Sequence, residues 1–284
     1  MNTLLLVGGD LCVRTARLLD PNDWKCIGLR RSLMPSGPDD HMTWVQADLQ
    51  DPASLTFLRE GEFSEISHIL YAPSPDSRTP DHYTRVYSQG LPTLLNNLSP
   101  GCLAHLKRCV LVGSTAVWGP SDAWVDEDSP VQNTNFRTQA LLKAEAALQA
   151  ILPQGVGVTL RLSGLYGPGR MHLINGLRAG RVTVPDAPGH WANRIHIDDA
   201  ARACAHLLAL ADPQPLYIGT DDRPLPLAGF YDDVARLLGA PMPTRESRVP
   251  DGKRLSNARL RASGWTPEWP CALDWYARNR PADG

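Results

Sequence analysis

The chain lacks the features that mark several broad classes of protein. Its six cysteines include no CxxC pair and no metal-ligand spacing, so neither a disulfide framework nor a metal site is predicted. No apolar run approaches the length that spans a membrane. The start, MNTLLLVGGD, has no basic residue of the kind that opens a signal peptide. Together these absences predict a cytoplasmic protein with reduced thiols.

A strong net charge is absent as well. Lys and Arg number 28 against 30 Asp and Glu, which leaves a formal net charge of -2. No basic stripe follows the chain, so a nucleic-acid partner is not expected. With 284 residues, 43% of them hydrophobic and 20% charged, the chain is long and apolar enough to bury a full core.

Short apolar runs alternate with helical patterns in the first part of the chain. Runs typical of strands covered on both faces occur at residues 3–7, 25–29, 66–71, 109–112 and 157–162. Apolar spacing predicts helices between them, at residues 11–19, 53–59, 81–98 and 136–151. Strand alternating with helix predicts an α/β fold with a Rossmann-like, doubly wound parallel sheet.

After about Tyr166 glycine and proline become frequent, and one long helix is predicted over residues 198–211. This change predicts a dinucleotide-binding domain of residues 1–165, to which residues 195–218 return. It also predicts a smaller substrate-binding lobe of residues 166–194 and 219–284 over the carboxyl edge of the sheet.

The turn after the first predicted strand is poor in glycine for a phosphate-binding loop. The GxGxxG frame falls on Val7, Gly9 and Cys12, so only the central glycine is kept, with Gly8 beside it. A plain strand-to-helix turn is the alternative interpretation. A dinucleotide held here would contact the turn itself, which consists of Gly8, Gly9, Asp10 and Leu11.

The second predicted strand ends in two arginines. NAD-binding folds usually place a carboxylate at this point for the ribose hydroxyls, whereas Arg30 and Arg31 suit the 2′-phosphate of NADP. NADP is therefore favoured over NAD if a dinucleotide binds, and a solvated strand edge is the alternative. Asp48, with Leu49 beside it, follows the next strand, where a side chain reaches the adenine.

A series of motifs runs in order from Met1 to about Trp275. They are GLRRS, ADLQDPASL, LYAPSPD, VGSTAVWG, DEDSP, LLKAE, RLSGLYGPGR, NRIHIDDAARA and SNARLRASGW. In order and spacing they resemble an extended short-chain dehydrogenase/reductase of the NAD-dependent epimerase/dehydratase group, especially its atypical members. The resemblance implies a nicotinamide cofactor and an oxidoreductase or epimerase reaction.

The resemblance also implies site residues. In the family a hydroxyl residue, here Ser114, binds the substrate oxygen, and the strand end that carries Ala72 and Pro73 lines the cofactor. The substrate of such enzymes is often a nucleotide diphosphate sugar. On the substrate side the matching positions are Trp118, His172, Asn193 and Arg194.

The tyrosine and lysine that do the family's chemistry are missing from their places. Counting back from Glu145 puts Arg137 at the tyrosine and Leu141 at the lysine. Shifting the register by one residue gives Phe136 and Ala140, which do not serve either. A general acid is worth roughly 10²–10⁴ in rate, so its loss puts the family's usual reaction in doubt.

No tyrosine occurs between Tyr87 and Tyr166, so a small alignment error does not restore one. Replacement donors for a proton would be Tyr166, His172 and His196. The resemblance gives Tyr166 and His196 structural positions, which leaves His172 as the freest to face a substrate.

Three functions stay open. The chain is an NADP-dependent oxidoreductase or epimerase for a small molecule, sugar-like or a nucleotide sugar, or it is a non-catalytic NADP-binding sensor, or it is an interaction protein without a cofactor. Residues 81–98 and 136–151 resemble the helices that form a dimer interface in the family, so a homodimer is also predicted.

Overall fold

A computed structural model of the chain describes residues 1–32, 42–121, 123–132, 134–186, 188–247 and 252–279. The strands are β1 Asn2–Gly8, β2 Trp24–Arg30, β3 Met42–Gln46, β4 His68–Ala72, β5 Arg108–Ser114, β6 Trp124–Val125, β7 Gly157–Leu162, β8 Gly164–Tyr166, β9 Thr183–Pro185, β10 Trp191–Ala192, β11 Arg194–His196, β12 Leu216–Gly219, β13 Leu225–Pro226, β14 Thr244–Glu246 and β15 Arg254–Leu255.

The α-helices are α1 Asp10–Ala16, α2 Pro80–Tyr83, α3 Gly90–Asn96, α4 Pro100–His105, α5 Phe136–Ile151, α6 His172–Arg178, α7 Ile197–Ala209, α8 Leu227–Leu237, α9 Ala258–Ala262 and α10 Ala272–Arg278. Tighter 3-10 turns cover Pro52–Arg59, Gly61–Glu65 and Thr115–Val117, and a π-helical segment covers Thr84–Gln89. None of the helices in the described ranges has the length and apolar character needed to cross a membrane.

Seven parallel strands form the central sheet, in the order β12-β7-β5-β4-β1-β2-β3. Strand β1 pairs with β2 on one side and β4 on the other, so the strand order reverses direction beside it. Its residues Leu4, Leu5 and Leu6 are fully buried, as expected for a strand covered on both faces. The predicted Rossmann-like α/β fold is confirmed. A reversal of this kind leaves a crevice at the carboxyl ends of the strands, where open α/β sheets bind ligands.

The chain divides into two compact units. The first comprises Met1–Val117, Gln132–Arg161 and Ala201–Tyr217 and carries most of the sheet. Its core holds aliphatic side chains from strands and helices together, among them Leu5 and Leu148. Helix α5 is fixed at its start by a capping box, in which the Asn135 side chain accepts from the Thr138 backbone N–H.

The second unit comprises Trp118–Val131, Leu162–Ala200 and Ile218–Gly284. Short strands pair in twos here: β6 with β15, β8 with β11 and β9 with β14 in parallel, and β10 with β13 antiparallel. Its core is rich in aromatic rings, including Tyr166, Phe230 and Trp275.

Residues 81–98, predicted as one helix, form α2, the π-helical segment and α3 in succession. Two features explain the irregular turn of this helix. Pro92 has no N–H, and its ring conflicts with the carbonyl of Ser88 in a regular helix. The hydroxyl of Tyr71 also donates to the carbonyl oxygen of Val86 at 2.5 Å, which takes that acceptor out of the helical ladder.

Candidate cofactor site

A cavity of about 310 Å³ lies in the first unit, at the carboxyl ends of β1, β2, β3 and β4. Most of the residues predicted to bind a cofactor meet on its wall. They are Gly8, Gly9, Arg30, Arg31, Asp48, Leu49 and Pro73. The wall also includes residues that the sequence did not single out, namely Ser32, Gln50, Asp76, His82, Arg85 and Val86.

Gly8 is the residue of the turn that must be glycine. It has a φ of 150°, and a Cβ there would lie 2.5 Å from the carbonyl oxygen of Ala72 and 3.0 Å from Sγ of Cys12. Gly9, the central glycine of the predicted frame, has an ordinary φ of -114°. The bare backbone at Gly8 lets β1, β4 and α1 pack closely, which is one of the roles that glycines have in dinucleotide-binding turns.

Cys12 takes the packing position of the turn. Its side chain is fully buried, and burial raises the pKa of the thiol well above its ordinary range. A buried, protonated thiol is inert, so Cys12 fills space between α1 and the sheet and has no redox role.

Arg30 lies beside the glycine turn. A Cβ on Gly9 would lie 3.4 Å from its Nη2, and its guanidinium carbon is 5.2 Å from the ring centroid of Trp44. Trp44 packs in turn against Gly28, where any Cβ would collide with the indole ring. Gly28 and Trp44 therefore support Arg30. This support of Arg30 was not predicted, because Gly28 and Trp44 look like ordinary strand residues in the sequence.

Arg31 makes a two-pronged ion pair with Asp76. Its Nη1 donates to Oδ2 at 2.7 Å and its Nη2 to Oδ1 at 2.5 Å, and both side chains are about half exposed. The carboxylate holds the arginine at the rim of the cavity, and the guanidinium in turn keeps the pKa of Asp76 below its ordinary value.

Asp48 shapes the loop after β3. Its Oδ1 accepts from the backbone N–H of Gln50 at 2.9 Å, while its own backbone N–H donates to Oγ of Ser54 at 3.0 Å. The side chain is half-buried on the cavity wall next to Leu49. The loop is thus held by its own hydrogen bonds, and it places a carboxylate and an aliphatic side chain on the cavity wall.

Four residues predicted to contact the cofactor do not line this cavity: Ser114, described below, and three residues at the turn and the end of β4. Asp10 accepts from Nε of Arg14 at 2.9 Å, Leu11 is buried in the core, and Ala72 lies with its carbonyl oxygen against Gly8. All three belong to the packing of the turn.

Ser114 is the last residue of β5 and is half-buried. Its Oγ accepts from the backbone N–H of Ala116 at 3.2 Å, which uses a lone pair and not the hydroxyl proton. The positions of the missing pair lie on α5 in the same unit. Arg137 is exposed, with its guanidinium 5.6 Å from the Phe136 ring centroid, and Leu141 is buried. Arg137 therefore has no phenol to replace the tyrosine, and Leu141 has no ammonium group to replace the lysine.

Glu145 and Arg161 tie α5 to β7. Nε and Nη2 of the arginine donate to the two carboxylate oxygens at 3.0 and 2.6 Å, and both side chains are largely buried. Gly113 leaves room for this pair, because a Cβ there would lie 3.3 Å from Oε1 of Glu145. The pair fixes the orientation of α5 on the sheet.

The four predicted substrate residues lie in the second unit, and most of them have structural partners. Trp118 is 3% exposed and donates from its indole to the carbonyl of Ser129. Asn193 bonds the backbone of β15 and the residue before it through both ends of its amide. Arg194 donates to the Tyr231 hydroxyl at 2.7 Å. His172 is exposed at the start of α6.

Tyr166 and His196, considered as replacement proton donors, lie in the aromatic core of the second unit. Their ring centroids are 5.2 Å apart, and each is only 2% exposed. Burial raises the pKa of Tyr166 far above its ordinary value, and the carboxylates of Asp221 and Asp199 add to that rise. A phenol with a raised pKa is a weaker acid, so the structure gives Tyr166 a packing role.

The model of the NAD dependent epimerase/dehydratase family matches residues 7–219, well over half of the chain. That span runs from the glycine turn to the end of β12 and includes the whole cavity wall.

Two curated relatives resemble the chain in sequence. The 3-diazoavenalumate denitrifying reductase of a Streptomyces species is 28% identical over 179 residues, which covers 54% of this chain and 58% of that protein. The chain thus spans less than two thirds of the reductase. Protein YeeZ of Escherichia coli K12 is 27% identical over 274 residues, 90% of this chain and 94% of that protein.

Solved structures share the fold over nearly the full length. A protein of Methylobacillus flagellatus described as an NAD-dependent epimerase/dehydratase is 31% identical, with a TM-score of 0.78 over 98% of this chain and 96% of the other. The human epimerase family protein SDR39U1, solved with NADPH, is 19% identical, with a TM-score of 0.75 over 98% and 99%. MoeE5, solved with UDP-glucose and NAD, is 18% identical, with a TM-score of 0.78 over 97% and 96%.

Proposed function

The chain belongs to the NAD-dependent epimerase/dehydratase family, and from this premise we propose that its first unit binds NADP(H) and uses it for hydride transfer. The observation that carries the proposal is the single cavity wall that joins the Gly8 turn, Arg30, Arg31 and Asp48. Relatives of this fold bind nicotinamide dinucleotides, NADPH in one case and NAD in another, so the preference for NADP rests on the two arginines.

The wall residues fit the parts of such a cofactor. The turn at Gly8 and Gly9 presents backbone to a pyrophosphate, with the Arg30 guanidinium beside it. Arg31 lies at the rim and suits a 2′-phosphate, while Asp48 and Leu49 border the adenine end. All of these residues belong to the first unit.

When bound, the nicotinamide ring supplies or takes up a hydride. The chain's own group for the reacting centre is the Ser114 hydroxyl, which orients a substrate oxygen but is a poor acid. With Arg137 and Leu141 in place of the family pair, we infer a substrate whose reduction needs no proton from a tyrosine.

Two substrate classes follow. A nucleotide sugar is suggested by the neighbour solved with UDP-glucose. A diazo compound is suggested by the Streptomyces relative, which is named as a denitrifying reductase. In its aryl diazonium form the group leaves as N₂ when a hydride from NADPH takes its place on the ring carbon (ArN₂⁺ + H⁻ → ArH + N₂). No carbonyl oxygen has to be protonated, so this class suits a site without the tyrosine.

A second function, a non-catalytic NADP-binding sensor, is favoured by one observation. Leu141 is buried at the position where the family has the lysine that takes part in its chemistry, while the arginines of the cavity wall are kept. Two assays separate these functions. Loss of NADPH absorbance reports hydride transfer to an aryl diazonium compound, and chromatography of UDP-glucose or dTDP-glucose incubated with NADP⁺ reports epimerisation or dehydration, which consume no net cofactor. Turnover in either assay supports an enzyme, and tight nucleotide binding without turnover supports a sensor.

Calorimetric titration with NADPH and NADH tests the binding. We expect NADPH to bind more tightly than NADH, and Arg30→Ala and Arg31→Ala each to weaken NADPH binding by about tenfold. Arg59→Ala, which removes an exposed arginine of the first unit away from the cavity, is the control and leaves both affinities unchanged. Binding of neither nucleotide would overturn the proposal, and tighter NADH would refute the role of the arginines.

A further inference from the structure

The arginine best placed for a 2′-phosphate is already engaged by a carboxylate. Asp76 follows β4 in the loop SPD and takes both Nη groups of Arg31 in an end-on fork, at 2.7 and 2.5 Å. Both residues lie on the cavity wall. A phosphate that Arg31 binds end-on through both Nη groups requires the same two N–H groups that Asp76 now occupies.

The exchange of partners is feasible because the pair is solvated. The two side chains are 53% and 51% exposed, and ion pairs of that kind are weak. The backbone of Arg31 is held in place, since its carbonyl oxygen accepts from Nε2 of Gln46 at 2.9 Å. The arginine therefore has to change partner by rotating its side chain, and the strand end does not move.

The charge of Asp76 distinguishes the two cofactors. A 2′-phosphate brings up to two negative charges to the rim and is repelled by the carboxylate. The ribose hydroxyls of NADH instead donate hydrogen bonds, and a carboxylate accepts them. Another arginine of the wall, Arg85, is paired with its own carboxylate, Asp81, at 2.9 Å and also donates to Gln50.

We propose that Asp76 is a specificity-determining residue that competes with the 2′-phosphate for Arg31 and thereby narrows the preference for NADPH over NADH. This inference rests on the proposed binding of a nicotinamide dinucleotide in the same cavity. Removal of the Asp76 charge releases Arg31 to the phosphate and withdraws an acceptor from the ribose hydroxyls.

The test is Asp76→Asn, which keeps the size of an exposed side chain and removes its charge. Fluorescence titration with NADPH, NADH, 2′,5′-ADP and 5′-AMP gives four dissociation constants for each variant. NADPH and 2′,5′-ADP are expected to bind about five- to twentyfold more tightly to Asp76→Asn than to the wild type. The affinities for NADH and 5′-AMP are expected to stay the same or fall.

Two further variants make the result specific. Asp233→Asn breaks an exposed Asp–Arg pair of the same length, 2.5 Å to Arg236, in the second unit and should leave all four constants unchanged. In Arg31→Ala the added Asp76→Asn change should tighten NADPH binding much less than it does in the wild type, because the competition acts through Arg31 and only the relieved repulsion remains. Unchanged or weaker NADPH binding by Asp76→Asn, with both nucleotides still binding, would overturn this inference alone. A wild type that binds neither nucleotide would overturn the proposed function and this inference with it.

Discussion

At the scale of single residues, the turn after β1 depends on Gly8 more than on the central glycine of the sequence motif. Its φ of 150° and the 2.5 Å approach of a Cβ to the Ala72 carbonyl oxygen leave no room for a side chain. The GxGxxG frame points to Gly9 as the important glycine, because sequence spacing does not show which glycine contacts the neighbouring strand.

We predict that Gly8→Ala destabilises the protein by roughly 2–4 kcal/mol, from backbone strain together with overpacking against β4. Gly101→Ala is the control, since Gly101 lies within α4 of the same unit and a Cβ there meets its nearest atom, Oγ of Ser99, only at 4.0 Å. Urea denaturation measures both. Equal effects of the two substitutions would contradict the assignment of the constraint to Gly8.

Asp221 in the second unit carries a pH dependence of stability. The residue is 2% exposed, and its Oδ1 has no hydrogen-bond partner among the described residues. Burial raises the pKa of Asp221 to about 8. Between the ordinary pKa near 4 and this raised value, the folded protein holds a proton that the unfolded chain has lost. The contribution of Asp221 to the free energy of unfolding therefore falls as the pH rises from about 4 to about 8.

We predict that the free energy of unfolding of the wild type falls between pH 5 and pH 8 relative to that of Asp221→Asn, which has no such proton to lose. Asp233→Asn, an exposed aspartate of the same unit, should track the wild type at both values. Denaturant titrations at the two pH values measure the difference. A constant difference between the wild type and Asp221→Asn would show that Asp221 is ionised in the folded protein.

At the scale of elements, Tyr71 couples β4 to the segment that borders the cavity. Its hydroxyl donates to the carbonyl of Val86, and Gly90 leaves the space that the hydroxyl occupies, since a Cβ there would collide with it. Val86 lines the cavity, so the irregular turn positions part of the cofactor wall.

Tyr71→Phe is expected to destabilise the protein by about 1–3 kcal/mol, because it leaves a carbonyl without its donor, and to weaken nucleotide binding as the segment relaxes toward a regular helix. Tyr83→Phe is the control, as its ring contacts with Tyr87 and Phe136 remain. Denaturation and NADPH titration report the two effects. If Tyr71→Phe binds NADPH as tightly as the wild type, the π-helical segment does not contribute to nucleotide binding.

The regular elements were predictable because their causes are local. Strand 157–162 and helix 136–151 have the predicted bounds, since a continuous apolar run and a capped helical pattern define them. The break within residues 81–98 depends partly on Pro92, which is visible in the sequence, and partly on the contact with Tyr71 in a distant strand, which is not. Asp76 was not predicted as a site residue, because only the fold brings it next to Arg31.

At the scale of the whole molecule, the chain consists of two units with separate cores, and the candidate cofactor site lies within the first. The predicted homodimer remains a prediction. The small residues Ala140 and Ala144 of α5 are already buried within the single chain, and Ala144 belongs to the core of the first unit.

The most direct measurement of the central claim is backbone hydrogen exchange with and without NADPH. A dinucleotide in the cavity of the first unit predicts slower exchange of the amides in residues 7–12, 28–32, 46–50 and 82–88, all of them at or next to the cavity wall. Exchange that stays unchanged in these segments, or that slows only in the second unit, would contradict the claim that this cavity is the cofactor site.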